Sequence, residues 1–180
     1  MSITSKKTSA LLSLAFITLG MLAFCCSASA QTASQDCEKF SGDQAIAACD
    51  RAIQQNPRDA NAFYNRGIEW RAKGDNDRAI ADYNEAIRLN PQSANAFNNR
   101  GEAWRTKGDN DRAIADYNEA IRLNPQSANA FYNRGLAWES KNDLAQALTD
   151  FRNYARLTPN DPRGPRAIQR IEGKIDAKKK

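Results

Sequence analysis

The sequence predicts an all-α solenoid made of stacked helical hairpins, and three observations carry that expectation. First, Gly74 to Phe97 reads GDNDRAIADYNEAIRLNPQSANAF, and Gly108 to Phe131 repeats the same 24 residues 34 positions later. Second, each 34-residue unit holds two stretches of helical periodicity joined by a turn. Third, a unit this short cannot bury its apolar faces alone, so copies must stack on one another. A stack of this kind presents an extended surface, which points to binding rather than to chemistry in a pocket.

The chain opens with Lys6 and Lys7, followed by a charge-free stretch from Thr8 to Gln35. Its apolar part, Ala10 to Cys26, precedes Ala28-Ser29-Ala30, which offers small residues at both positions that a signal peptidase reads. Residues 1–30 are therefore expected to be a secretory signal peptide cut after Ala30. An uncleaved anchor is the alternative, because 17 apolar residues approach a bilayer span. A lipoprotein signal at Cys25 or Cys26 fits poorly, because Phe24 stands where a small residue is needed. All three readings place the rest of the chain outside the cytosol, in the periplasm or secreted.

Losing residues 1–30 removes two lysines and no acids, which lowers the net charge from +5 to +3. The signs are interleaved, without the focused basic face of a nucleic-acid binder, so no nucleic-acid partner is expected. Of the four cysteines, Cys37 and Cys49 remain. In an exported chain an even pair reads as a disulfide within a helical hairpin. Closing so short a loop contributes about 2–3 kcal/mol on the chain-entropy model. A redox or metal pair lacks further ligands, since the chain has no histidine, and no metal or other cofactor is expected.

The units run 59–92, 93–126 and 127–160. Each opens on an N-cap, Asp59, Ser93 or Ser127. The first helix carries Phe63, Gly67 and Trp70, then Phe97, Gly101 and Trp104, then Phe131, Gly135 and Trp138. Spacings of four and three put these on one face, expected to be core, with the glycine admitting a second helix. Lys-Gly-Asp at 73–75 and 107–109, and Lys-Asn-Asp at 141–143, make the turn. The second helix carries Ala79, Tyr83 and Ala86, then Ala113, Tyr117 and Ala120, and stops before Asn90-Pro91, Asn124-Pro125 and Thr158-Pro159. In the third unit Tyr154 stands where the earlier units have alanine, so that end is expected to pack differently.

This order of aromatic, glycine, aromatic, alanines and closing proline resembles the tetratricopeptide repeat (TPR) family over Asp59 to Pro159. Ala45, Cys49, Ala52 and Pro57 fit the second helix of an earlier, partial unit within 31–58. The resemblance implies a right-handed α-solenoid of about three and a half units. Residues 161–180 would follow as a capping helix with Ile168, Ile171 and Ile175 on one face, ending in a solvated tail at Lys178–Lys180.

In that family the first helices line the concave face. First-helix positions outside the core are Asn61, Asn95 and Asn129, then Asn65, Asn99 and Asn133. An amide offers one acceptor and two donors, which suits a peptide backbone. The second set resembles the asparagine ladder of a transferase member of the family, whose amides hold substrate backbone; the competing structural role is to bridge neighbouring helices. Tyr64 and Tyr132, with Arg71 and Arg105, complete the candidate peptide-binding groove. Two arginines do not make the basic carboxylate clamp of some family members, although an acidic C-terminal peptide remains an alternative ligand. Arg66, Arg100 and Arg134 recur in phase with Asp82, Asp116 and Asp150, and are expected to form ion pairs between packed helices.

The expected function is a non-enzymatic adaptor of the cell envelope that binds an extended protein segment of unknown identity. The alternative is a structural or assembly subunit that docks through its convex face or ends. Without histidine or a metal-ligand cluster, an enzyme would need an all-carboxylate mechanism, and the repeated acids read better as caps and pairs. Near-identical units also favour weak end-to-end self-association.

Overall fold

The computed structural model describes residues 35–178. The expected signal at 1–30 and the last two lysines lie outside the described residues. Helix α1 is described over residues 35–39, followed by α2 (Gly42–Gln55), α3 (Ala60–Ala72), α4 (Asn76–Leu89), α5 (Ala94–Thr106), α6 (Asn110–Leu123), α7 (Ala128–Ser140), α8 (Leu144–Leu157) and α9 (Arg163–Ala177). Three complete hairpins, α3–α4, α5–α6 and α7–α8, stack in chain order between α2 and α9. First helices of successive units also touch, α3 with α5 and α5 with α7. That closer approach curves the stack and sets the first helices on its inner face.

The helices begin and end where local chemistry requires it. Asp59 accepts from the backbone N–H groups of Asn61 and Ala62, and Ser93 from that of Ala96. Ser127 makes no side-chain cap bond, unlike the expectation for it. Asp75, Asp109 and Asp143 cap the second helices by accepting from the N–H groups of Arg78, Arg112 and Gln146. The residue before each of these caps has a left-handed φ, with Gly74 at 82°, Gly108 at 85° and Asn142 at 63°. Asparagine tolerates that region better than other non-glycine residues, so the third turn keeps its shape.

Hairpin closure depends on one glycine per unit. A Cβ on Gly67 would lie 2.8 Å from the Tyr83 ring, on Gly101 2.8 Å from Tyr117, and on Gly135 2.9 Å from Phe151. The facing rings are wholly buried, together with Ala79, Ala113 and Ala147. The tryptophans lie on the expected face but at the edge of the core, as Phe63 and Phe97 do, with Trp104 and Trp138 packed against its buried clusters. Trp70, Trp104 and Trp138 are only half-buried, and the Arg78 guanidinium sits 3.6 Å from the Trp70 ring centroid, that of Arg112 4.5 Å from Trp104. These rings seal the hairpin edge beneath a cationic cover.

The two ends are specialised. Cys37 and Cys49 are joined as a disulfide, with Cα atoms 4.7 Å apart, in a small cluster with Ala48, Ala52 and Ala62. Glu69 accepts from the N–H of Gly42 at 2.6 Å and so caps α2 from the next unit. At the other end Ala167 and Ile171 are buried against α8, with Ile168 and Ile175 packed beside them. Tyr154 is fully buried, 4.8 Å from the Tyr132 ring, and donates its hydroxyl hydrogen to Asp161 at 2.6 Å. Its bulk supports α9 where an alanine would serve another repeat. Lys178, expected in the solvated tail, instead donates to Asn142 Oδ1 at 2.8 Å.

Candidate functional site

The predicted site residues all lie on the first helices, but in different surroundings. Asn61, Asn95 and Asn129, in the first turns of α3, α5 and α7, are exposed. Asn61, Tyr64 and Asn95 meet around a cleft of about 140 Å³, together with Asn90 and Ser93. The cleft marks the joint between two units and is lined by amides and a phenol.

The second asparagine row is largely committed to the protein itself. Asn99 Nδ2 donates to the Tyr64 hydroxyl at 3.0 Å, and Asn98 Nδ2 donates to Asn99 Oδ1 at 3.3 Å. Asn133 Nδ2 donates to Asn98 Oδ1 at 3.2 Å. The result is a chain of hydrogen bonds, Asn133 to Asn98 to Asn99 to Tyr64, across the first helices of all three units. Burial raises the Tyr64 pKa, while the Asn99 hydrogen bond and the Arg71 charge oppose the rise. Asn65 contributes no member to this chain. Tyr132 is drawn inward, its ring 5.5 Å from Phe151. Asn99 and Asn133 therefore bridge helices, which was the competing role for that row.

Deeper along the inner face lies a row of charged side chains with a spacing of 31 residues. Arg71 Nη1 meets Glu102 Oε1 at 3.1 Å. Glu139 receives Arg170 at 2.7 and 3.0 Å and Lys174 at 2.7 Å, both from α9. Burial works to raise the Glu139 pKa, but the bonds from Arg170 and Lys174 outweigh it and hold the carboxyl below its ordinary value. Between these two stands Arg105, and the residue 31 positions after it is Leu136. That α9 supplies cations to Glu139 on a first helix was missed from sequence, where it read only as a cap.

Arg66, Arg100 and Arg134 make bidentate pairs with Asp82, Asp116 and Asp150, with N–O distances of 2.6 to 2.8 Å. The hydrogen bond to Asp82 leads the causes that raise the Arg66 pKa. Each arginine also reaches back one unit through Nη1, to Asp50 at 2.6 Å, Asn84 at 2.7 Å and Asn118 at 2.6 Å. One guanidinium thus ties its own hairpin to the preceding one. The third partner was overlooked in the sequence, although 50, 84 and 118 are 34 residues apart. Among the described residues no group of three or more histidine, cysteine or acidic side chains could hold a metal ion. No helix among them is long and apolar enough to cross a membrane.

Stacked hairpins closed by a glycine–aromatic contact, with a polar inner face, define a helical-repeat scaffold. The tetratricopeptide repeat model matches residues 42–94, 71–128 and 105–162, and the chain belongs to that family. No curated protein matches it. Among solved structures it is similar to the crystal structure of MamA, at 26% identity and a TM-score of 0.70, over 73% of this chain and 78% of that one. The second TPR domain of human RPAP3, solved in complex with the HSP70 peptide SGPTIEEVD, is 26% identical with a TM-score of 0.59, over 61% and 92%. The first TPR of Spaghetti (RPAP3), bound to the HSP90 peptide SRMEEVD, shares the fold at 24% identity and a TM-score of 0.64, over 65% and 93%.

Proposed function

We propose that this protein is a non-enzymatic adaptor that holds an extended peptide segment along its inner face. The observation that carries the reading is the first-turn row Asn61, Asn95 and Asn129. These amides are exposed, and their side chains are spent on no hydrogen bond with a described residue. The cleft at Asn61, Tyr64 and Asn95 gives them a shaped approach. The human RPAP3 domain, which shares this fold at 26% identity and holds a peptide, supports the same use of the scaffold. The bridging row at Asn99 and Asn133 sets the spacing of the helices that present the contacts. The reading includes export through residues 1–30 and work in the periplasm or outside the cell, where the Cys37–Cys49 disulfide is stable.

Few clamps mean modest affinity. Each amide hydrogen bond nets about 0.5–1.5 kcal/mol, and ordering the peptide offsets much of that, so a lone peptide should bind at micromolar affinity or weaker. The test replaces Asn61, Asn95 and Asn129 by alanine together and compares partners captured from envelope extract. The exposed row should leave the melting temperature unchanged while capture falls. Undiminished capture by the folded variant would remove the groove reading in favour of docking through the convex face or ends.

A further inference from the structure

The hairpin turns repeat one arrangement twice and alter it once. At the first turn the Arg78 guanidinium lies 3.6 Å from the Trp70 ring centroid, and its Nε donates to Asp75 Oδ2 at 2.6 Å. At the second, the Arg112 guanidinium lies 4.5 Å from the Trp104 centroid, and its Nε meets Asp109 Oδ2 at 3.2 Å. One guanidinium thus spans an indole face and a cap carboxylate. The third turn keeps Trp138 and Asp143 but carries Gln146 in the arginine's place. Its backbone is unchanged: Asp143 has φ −85° and ψ 79°, against −84° and 76° at Asp75 and −84° and 77° at Asp109. Lys141 also keeps its station, 5.8 Å from the Trp138 centroid, as Lys107 does from Trp104. Asp143 Oδ1 still accepts the cap bond from the Gln146 N–H at 3.2 Å, whereas Asp143 Oδ2 pairs with no described residue. No guanidinium of a described residue lies over Trp138, and the Gln146 amide makes no side-chain hydrogen bond with one. The neighbouring cations are committed elsewhere, Lys141 to Asp111, Arg170 and Lys174 to Glu139, and Lys178 to Asn142 Oδ1. Asp143 is exposed, where Asp75 and Asp109 are half-buried beside their arginines.

We propose that Trp138 and Asp143 form a subsite for an arginine side chain of a protein partner. The first two turns supply the template, because the same indole and the same carboxylate hold an internal arginine there. The charges are complementary: Asp143 meets no cation of a described residue, and the indole beside it attracts positive charge to its face. A guanidinium is selected over an ammonium, because a planar cation stacks flat on the ring while it presents an N–H edge to the carboxylate. A single exposed contact of this kind is weak, so the subsite adds orientation and specificity to a larger docking contact. Neither residue belongs to the asparagine row at Asn61, Asn95 and Asn129, so the subsite and the groove reading stand or fall separately.

The probes are arginine, lysine and citrulline, each acetylated at the N-terminus and amidated at the C-terminus, together with free arginine. Binding is followed through the indole Nε1–H resonances of Trp70, Trp104 and Trp138 in the full mature chain at low salt. Capped arginine should shift the Trp138 resonance at about millimolar affinity and leave those of Trp70 and Trp104 in place. It should bind about tenfold more tightly than citrulline, which has the same shape without the charge, and about threefold more tightly than lysine. Asp143→Asn keeps the cap and should weaken arginine about tenfold. Gln146→Arg supplies the guanidinium internally and should abolish the shift, whereas Arg112→Gln should make Trp104 a second responsive indole. Equal shifts at all three indoles, or a Trp138 response undiminished by Gln146→Arg, would overturn the subsite. Citrulline or lysine binding as tightly as arginine would overturn the guanidinium as its ligand. Tighter binding of free arginine than of the capped residue would overturn a protein side chain as the source. A Trp138 shift that follows protein concentration without any probe would overturn a separate partner in favour of a second copy of this chain. A response seen only after Lys178, Lys179 and Lys180 are replaced by glutamine would overturn it in favour of the chain's own tail.

Discussion

The pair Arg100–Asp116 offers the most direct test of how the units are held together. Asp116 is 6% exposed and receives two hydrogen bonds from Arg100, at 2.6 and 2.8 Å. Arg100→Ala leaves that carboxylate in the interior without its donors, a change that costs about 3 kcal/mol or more. Asp116→Ala strands less, because the Arg100 side chain is 20% exposed and keeps Asn84 Oδ1 at 2.7 Å. Its cost should be about 1–2 kcal/mol. With both residues replaced no buried charge is left alone, and the remaining loss is packing and one inter-unit contact, again about 1–2 kcal/mol. The cycle therefore predicts a coupling of about 2–3 kcal/mol, with the double variant more stable than Arg100→Ala alone. Urea unfolding followed by helical circular dichroism reads all four proteins. Losses that add to within about 0.5 kcal/mol would refute the argument that the buried charge, rather than the lost contacts, dominates the penalty.

Other outcomes follow from the same contacts. Gly101→Ala places a methyl 2.8 Å from the buried Tyr117 ring and should cost about 1–3 kcal/mol in urea unfolding, whereas Ala115→Gly on the exposed side of α6 should cost only about 1. The Glu139 pKa lies below its ordinary 4.5, so the stability this group lends to α9 is present above pH 4.5 and is lost as pH falls through the lower folded value. Amide exchange in α9 should accelerate over that acidic range in the wild type, and Glu139→Gln should show fast exchange already at neutral pH. Replacing Cys37 and Cys49 with serine should destabilise the N-terminal end by about 2–3 kcal/mol, read as earlier loss of exchange protection in α2 than in α6.

Most of the scaffold was legible because it is written at fixed spacing. Gly101 and Tyr117 recur with the period of the stack, and so do Arg100 and Asp116, so their contacts follow from phase alone. The depth of the tryptophans was not legible because periodicity gives only a face, and Trp104 and Trp138 pack against the core from its edge. Trp70 lies on the predicted face but at its edge, where Arg78 from the next helix covers it. The candidate site was only partly legible. Sequence could place Asn61 and Asn99 on one side of their helices, yet not decide which amide was already bonded. That depended on a neighbour 35 residues away, Tyr64 for Asn99 and Asn98 for Asn133. The charged pairs of the inner face were hidden for a similar reason, since their interval of 31 differs from the repeat of 34. It joins the end of one first helix to the middle of the next, and Arg170 enters it from outside the repeats.

The differences between copies say more about function than their identity does. Units 59–92 and 93–126 differ at five positions, all between the cap and the end of the first helix. Two of them answer local structural needs. Asp59 and Ser93 are alternative caps, and Glu69 caps α2 where the matching Ala103 is buried. The other three, Tyr64 with Asn98, Ile68 with Glu102 and Ala72 with Thr106, are spaced by four and form one stripe along the helix. That stripe runs past the cleft at Tyr64 and the ion pair at Glu102. The second helices, which carry the buried tyrosines and alanines, show no difference between these two units. A scaffold needs the same contacts at every joint, whereas a groove that reads one particular segment needs different contacts at successive joints. Apart from the cap and Glu69, the variation between these two units lies on the first-helix stripe, so it changes the inner face at successive joints without disturbing the contacts that close and stack the hairpins.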